Sequence, residues 1–305
     1  MSFNVADYPL MWELPPRMSV HSAWLQHTAM VPVIVALTRP RVFVELGSHA
    51  GDSYCAFCES VLRMEVGTQC AAVDTWTGDV HAGQYSPAVL QSLREFHDRR
   101  YAGFSRLMQM TFDAALTAFP EGSIDLLHID GLHTYEAVKH DFESWRPKLS
   151  EHGVVLLHDT AARLEGFGVW KFWEEVAGMG PSFNVPYGWG LGMLAAGKEV
   201  SREFVAFLEA LREDPRILGV LGAIGQRNEI FRTLNFAAEA LCQCHDMANQ
   251  WRTQTGRPVA NKTLELQQAM NLPQAGAVVA NEVLAMANGA VGDHLELKKL
   301  RQGKP

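Results

Sequence analysis

The sequence has little from which to build a disulfide framework. Its five cysteines are an odd number in 305 residues, and their spacing suits neither a set of staples nor a zinc site. Cys55 and Cys58 form a C-x-x-C, but Cys70, Cys242 and Cys244 stand too far off in sequence to complete a redox or metal motif. The cysteines read as small core residues, and a reducing cytoplasm is the expected location. No run of about 18 apolar residues occurs, so no membrane span is expected. The opening residues, MSFNVADYPLMWELPPRM, lack the basic region and apolar core of a secretory signal. No long basic cluster offsets the net charge of −8, which argues against nucleic acid as a partner. The small basic end at Lys298, Lys299, Arg301 and Lys304 reads as solvated.

What is present is ordinary globular composition. With 48% apolar and 20% charged residues, the chain can hold one large domain and an appendage. The stretch Arg41 to Ser53, RVFVELGSHAGDS, organises the rest. Val42 to Leu46 reads as a buried strand interrupted by one acid, Glu45. Glycine, polar residues and a second glycine follow, and helical spacing begins at Tyr54. Strand, glycine turn and helix open a nucleotide-binding α/β domain. Gly47 and Gly51 let the backbone turn tightly, and the first N–H groups of the helix point at whatever sits there. A dinucleotide is disfavoured, because the second and third glycines of its fingerprint fall on His49 and Asp52. An acid at the helix start also repels a pyrophosphate, and no Gly-Lys-Ser/Thr of a P-loop follows.

Glu45-Leu46-Gly47-Ser48-His49-Ala50-Gly51 resembles motif I of the class I S-adenosylmethionine-dependent methyltransferases, with His49 in place of the middle glycine. The resemblance implies an α/β, Rossmann-like sheet of seven strands, six parallel and one antiparallel, with helices on both faces. It also implies that Glu45, Gly47, Ser48, His49, Gly51 and Ser53 surround the amino acid end of S-adenosylmethionine.

Along the chain, residues 1–40 read as a proline-rich arm, then a helix from Val20 to about Leu37 capped by Ser19 and kinked near Pro32. Residues 41–197 hold the strands. After Val42 to Leu46 come 69–76, ending in Asp74, then Ser105 to Met110, Ser123 to Asp130 and Val154 to Leu157. Phe183 to Val185 and Gly190 to Ala195 close the sheet as an antiparallel pair. Asp74 at a strand end is placed to bind two ribose hydroxyls. Thr75 and Trp76 open a polar loop running to Tyr85, at the sheet end where ligands bind. Helices are expected at Pro87 to Arg100, at Tyr135 to Leu149 after the Asp130 loop, and at Val169 to Val176. Glu151-His152-Gly153 reads as a turn. Phe112 and Asp113 begin a short helix where family members meet the adenine. Residues 201–305 form a helical extension without strand alternation: one helix ending near Asp214, one from Ile217 to about Thr253, a break at Thr255 to Pro258, and segments at Leu264 to Met270 and Ala277 to Met286. It reads as a module for homo-oligomerisation, as a dimer, or for docking to another protein, with a substrate lid as the alternative.

Chemistry concentrates between Ile124 and Thr160. Two neighbouring parallel strands end in Asp130 and in His158-Asp159, and such ends lie about 5 Å apart. Two carboxylates there suit magnesium or another divalent cation, with Asp130 and Asp159 as ligands and His158 as a third. Such a cation would hold adjacent hydroxyls and lower the pKa of the one being methylated. His133, three residues after Asp130, is a further possible ligand or the general base, for which it is the first candidate, followed by His158, His81 and Asp130. Trp76, Tyr85, Trp170, Trp173 and Trp189 form an aromatic set able to stack on sugar faces, though most read as core.

The block Ile129-Asp130-Gly131, His133, Tyr135, Val138, Asp141, Trp145, Pro147-Lys148-Leu149 and His158-Asp159-Thr160 resembles methyltransferases found beside, or fused to, bacterial glycosyltransferases. The stretches Gly168 to Glu175 and Gly188 to Leu194 match as well. These relatives resemble catechol-type and macrolide-sugar O-methyltransferases, although His158-Asp159 replaces their Asp-Asn or Asp-Asp. The resemblance implies methyl transfer to a hydroxyl of a sugar, glycan or glycosylated small molecule during polysaccharide biosynthesis, with a glycosyltransferase as a partner through the C-terminal helices. Three alternatives stand beside it: a catalytically silent docking module, a hydroxylase on the same scaffold such as the cephalosporin hydroxylases, and an NAD-dependent oxidoreductase. The glycine pattern disfavours the last.

Overall fold

The computed structural model describes residues 3–20 and 22–255, with side chains as far as Glu239 and at Cys242. After short 3-10 turns, the first helix and strand are α1 (Val31–Thr38) and β1 (Val42–Leu46). Then come α2 (Asp52–Arg63), β2 (Gln69–Asp74), a small hairpin of β3 (Gly78–Asp79) and β4 (Gly83–Gln84), α3 (Pro87–Arg100), β5 (Ser105–Gln109), α4 (Phe112–Ala115) and β6 (Ile124–Ile129). The chain continues through α5 (Tyr135–Trp145), β7 (Leu149–His158), α6 (Val169–Val176), β8 (Ser182–Val185), β9 (Leu191–Ala195), α7 (Arg202–Glu213) and α8 (Pro215–Thr255).

The main sheet has the order β5-β2-β1-β6-β7-β9-β8. Its first five strands are parallel, β9 runs against β7, and β8 runs against β9. Six strands therefore share one direction and β9 alone opposes them, the Rossmann-like methyltransferase arrangement. Strand side chains alternate between faces. Phe43 joins one apolar layer with Tyr54 and Phe57 of α2, Ile34 of α1 and Phe204 and Leu208 of α7, while Val44 joins Val138, Phe142 and Trp145 of α5 and Phe172 of α6. Burial on both faces is why these strands read as apolar runs rather than as alternating ones.

Two compact units divide the chain. The first runs from Met1 to Glu229, and the second, from Ile230 to Pro305, is described only as the remainder of α8. Met11 and Trp24 of the N-terminal arm share an apolar layer with Phe207 of α7, so the arm and the start of the extension belong to the first unit. The expected helical segments at Leu264 to Met270 and Ala277 to Met286, and the basic end, lie outside the described residues. Among the described residues, no helix is long and apolar enough to cross a membrane. Cys55, Cys58 and Cys70 are free and buried, as core residues would be.

Three local readings need correction. The helix expected over Val20 to Leu37 is a 3-10 segment, Leu25–Met30, followed by the short α1. Pro32 lies in the first turn of α1, where its missing N–H costs nothing. Ser19 caps no helix; its backbone N–H donates to Asp52 Oδ1 at 2.8 Å and its hydroxyl to Oδ2. Glu151-His152-Gly153 lies inside β7, where pairing with β6 jumps from Ile124–Leu149 to Leu126–Val154. The extra residues form a bulge rather than a turn.

Candidate active site

The carboxyl ends of β1, β6 and β7 are level, because Leu46 pairs with Ile129 and Ile129 with Leu157. From β1 the chain crosses to β2 on one side and later to β6 on the other. A crevice opens at such a reversal. Gly47 bridges it: its N–H donates to the Val73 carbonyl at 2.9 Å, and the Asp130 N–H donates to the Leu46 carbonyl at 2.8 Å. The loop after Gly47 hangs from Asp74. One oxygen of that carboxylate accepts from the Ser48 and His49 N–H groups at 2.9 Å each, and the other accepts from the Trp76 N–H at 2.6 Å. Of its roughly four acceptor positions, three are taken by backbone, leaving one to face a ligand. The indole N–H of buried Trp76 donates to the His49 carbonyl at 2.8 Å. From the other side, Arg17 Nε donates to the Ala50 carbonyl at 2.6 Å.

Two adjoining cavities follow this loop. The larger, about 350 Å³, is walled by the glycine loop from Gly47 to Ser53, by Asp130, His133, His158 and Asp159, and by Trp24, Phe167 and Trp189. The smaller, about 230 Å³, is walled by Asp74, Thr75, Thr111, Phe112 and Leu132. Gly47, His49, Tyr85, Asp130 and Gly131 belong to both. The rings of His49 and Tyr85 stack with centroids 4.5 Å apart at this common wall. The larger cavity alone has the size of a small-ligand site, roughly 300–1,000 Å³.

At its inner wall the charged groups converge. His133 Nε2 lies 2.9 Å from an Asp159 oxygen and 3.9 Å from Asp130. His158 Nδ1 donates to both carboxylates, at 3.2 Å to Asp130 and 3.3 Å to Asp159. Burial alone would push the His158 pKa down, but the two carboxylates outweigh it and raise it well above 6.5. His133 follows the same balance: burial lowers its pKa, and the hydrogen bond and charge of Asp159 raise it further. Burial would raise the Asp130 and Asp159 pKa values, yet His158 holds both below the ordinary carboxylate value. The His133 ring lies parallel to Phe167 at 4.8 Å, and His81 lies on the same aromatic wall, 4.7 Å from Phe167.

One ligand atom each from Asp130, His133 and Asp159 lies within 4.8 Å of the others, so these three fit a divalent cation. Of the two histidines read from the sequence as possible ligands, His133 belongs to this group, while His158 meets both acids through Nδ1. Ser48 Oγ is buried without a protein partner, on the glycine-loop wall of the larger cavity. It fits a polar ligand end.

Most of the residues read from the sequence come together here: Gly47, Ser48, His49, Gly51, Ser53, Asp130, His133, His158 and Asp159 around the larger cavity, Asp74, Thr75 and Phe112 around the smaller. Six do not line either: the base candidate His81, Trp170 and Trp173 of the aromatic set, and three cofactor candidates. Glu45 is buried beneath the loop, accepting from His128 Nδ1 at 2.9 Å; Trp76 supports the loop from behind; Asp113 pairs with His140 near the surface. Trp24, Phe167 and His128 were not read from the sequence. Only His128 had a signal, since it is the cross-strand partner of Glu45 and two polar residues interrupt apolar strands at one level. Strained backbone gathers at the same place. His49, Trp76, Asp159 and Trp189 all have positive φ, between 44° and 68°, a conformation that costs bulky residues and clusters at functional sites.

Beside the cluster, Asp141 of α5 is buried in the second apolar layer, and burial pushes its pKa up to about 7. The folded state thus keeps a proton that the unfolded state, at 3.8, has lost. Stability should fall as pH rises from about 4 to about 7. Asp141→Asn should unfold at the wild-type temperature near pH 4 and be more stable by about 1–3 kcal/mol above pH 7. Melting curves at the two pH values check this, and equal midpoints at pH 8 would remove the buried charge from the account.

Residues 44–160 match the family model Methyltransf_24, described as a methyltransferase domain. This segment is therefore similar to a methyltransferase domain, and the sheet it belongs to has the Rossmann-like methyltransferase fold. An uncharacterized protein of Sinorhizobium fredii (strain NBRC 101917 / NGR234), y4gI, is 47% identical over 197 residues, 65% of this chain and 22% of that protein. The chain thus spans about a fifth of that relative's length. Similar solved structures include the SAH-bound methyltransferase PaMTH1 of Podospora anserina, at 16% identity and TM-score 0.43 over 55% of this chain and 76% of that one. The O-methyltransferase TomG of Streptomyces achromogenes is 14% identical with TM-score 0.43, over 60% and 83%. A spermidine synthase of Thermotoga maritima is 15% identical with TM-score 0.42, over 59% and 62%.

Proposed function

We propose that the chain is an S-adenosylmethionine-dependent O-methyltransferase whose acceptor is a hydroxyl of a sugar, glycan or glycosylated small molecule. One observation carries the reading. Asp130, His133 and Asp159 converge at the ends of β6 and β7, on a cavity whose other wall is the glycine loop. S-adenosylmethionine supplies a methyl group already activated on a sulfonium. Gly47, Ser48, His49, Gly51 and Ser53 would hold its amino acid end, Asp74 through its remaining acceptor position and Thr75 its ribose, and Phe112 its adenine.

The protein's share of the chemistry is to align the acceptor oxygen and take its proton. A sugar hydroxyl is a weak nucleophile at neutral pH, so a base or a positive charge must help it. His133 lines the cavity with Nε2 2.9 Å from Asp159; in the tautomer that carries its hydrogen on Nδ1, Nε2 takes the proton and Asp159 stabilises the imidazolium that forms. The same three residues would hold a divalent cation, which would supply positive charge at the acceptor and make its hydroxyl more acidic. Both roles use His133 Nε2, so magnesium decides between them. Calorimetry with S-adenosylhomocysteine should give micromolar binding. A further magnesium-dependent heat, lost in His133→Ala, assigns the ligand role, and its absence leaves His133 as the base. No heat with or without metal would overturn the reading in favour of a silent module.

A further inference from the structure

We infer that Trp189 is the platform that seats the acceptor, its indole stacking on one face of a pyranose ring above the Asp130–His133–Asp159 cluster; this rests on the function proposed above.

Trp189 is 50% exposed, yet it lines the larger cavity. It lies between the ends of β8 and β9, in a two-residue turn closed by the Gly190 N–H donating to the Tyr187 carbonyl at 2.9 Å. Both central residues, Gly188 and Trp189, have positive φ, 58° and 68°. Such a turn normally takes glycine or asparagine, and a bulky ring there is strained and half in water. Nothing in the packing of the core calls for it.

The surroundings hold the turn in one place. Fully buried His27 donates from Nε2 to the Gly188 carbonyl at 2.8 Å, and burial keeps that imidazole neutral, with its pKa pushed down to about 3. The Ala161 N–H donates to the Trp189 carbonyl at 2.7 Å. Gly190 packs so closely on the same segment that an added Cβ would lie 2.4 Å from the Ala161 nitrogen. Ala161 follows Asp159 by two residues, and the Ala162 N–H donates to the Asp159 carbonyl at 3.1 Å. The turn that carries the indole and the loop that carries the carboxylate are therefore one assembly.

The chemistry of the walls selects the class of ring. Besides the indole, the cavity presents His49, Asp79, Tyr85 and His133. A pyranose can lay its C–H face on an indole and turn its hydroxyls toward those groups. The wall groups can take further hydrogen bonds from the several hydroxyls of a pyranose, more than the edge of an aryl ring offers.

The test uses protein loaded with S-adenosylhomocysteine and saturation-transfer NMR with methyl hexopyranosides and, separately, catechol. Trp189→Asn suits the left-handed turn, so it should melt no lower than wild type; Trp189→Phe keeps a smaller aromatic face. Pyranoside affinity should fall about tenfold in Trp189→Asn and less in Trp189→Phe, with the affinity for S-adenosylhomocysteine unchanged. Equal pyranoside binding by wild type and Trp189→Asn overturns the inference. So does the absence of any pyranoside signal from loaded wild type, or catechol binding in its place. Failure of wild type to bind S-adenosylhomocysteine is a different result and overturns the reading beneath it.

Discussion

Gly47→Ala should abolish binding of S-adenosylhomocysteine and lower the melting temperature by roughly 6–12 °C, the equivalent of about 3 kcal/mol in a unit of this size. The cause is backbone against backbone. Gly47 has φ +85°, and a Cβ built on it would lie 2.0 Å from the Asp130 carbonyl oxygen and 2.6 Å from its carbon. No rotamer relieves that contact, so β1 and β6 must part where the crevice opens. Gly51 is the control. Its φ is +82°, but its Cβ would meet the Leu93 side chain, at 2.4 Å from Cδ1, and a leucine end can move. Gly51→Ala should lose only a few degrees of melting temperature and retain weakened binding, while the larger Gly51→Val should bind nothing. Thermal unfolding and calorimetry on the variants decide the matter. Wild-type behaviour of Gly47→Ala would show that the loop does not close against Asp130.

The contrast between these glycines also marks what the sequence could reveal. That both were needed was legible from the strand–glycine–helix pattern, because left-handed turns are a local requirement. Which one matters more was not, because the colliding carbonyl of Asp130 lies 83 residues on in the chain. The sheet was legible for a related reason. Strands buried on both faces read as short apolar runs, and Asp74, Asp130 and His158-Asp159 end them with polar residues at the ligand edge. The bulge in β7 escaped because Glu151-His152-Gly153 has turn composition, and what holds it is distant: the N–H groups of residues 196, 197 and 199 donate to the Gly153 and Glu151 carbonyls. Ser19 looked like a cap because capping is local, whereas its partner Asp52 comes from the start of α2. His133 and His158 were both picked out, but their division of labour depends on how each meets the acids: His158 Nδ1 sits between both carboxylates, and His133 Nε2 sits on Asp159. Phe167, the plate under His133, sits in a loop with no periodicity to announce it.

That division of labour yields the second large effect. Asp159→Asn should cut turnover on any acceptor the wild type methylates by about 10²–10⁴-fold while leaving the affinity for S-adenosylhomocysteine near wild type. Asp159 is the group that holds His133, at 2.9 Å, and it shares His158 with Asp130. In the wild type, without metal, His133 should titrate above 6.5, because Asp159 outweighs burial. In the variant burial remains and only Asp130, 3.9 Å away, opposes it, so the His133 pKa should drop below 6.5. Imidazole C–H signals followed against pH in magnesium-free buffer report this directly. Stability supplies an independent sign. The raised histidine pKa values add stability that is complete below 6.5 and lost as pH rises through the folded-state values. The depressed Asp159 pKa adds stability that is complete above 3.8 and lost as pH falls. Asp159→Asn should therefore be most destabilised between those limits and approach wild type on either side. An unchanged His133 titration would mean that the His133–Asp159 pair does not form in solution. The base would then have to be sought at His81, which shares the Phe167 wall, rather than at the carboxylates.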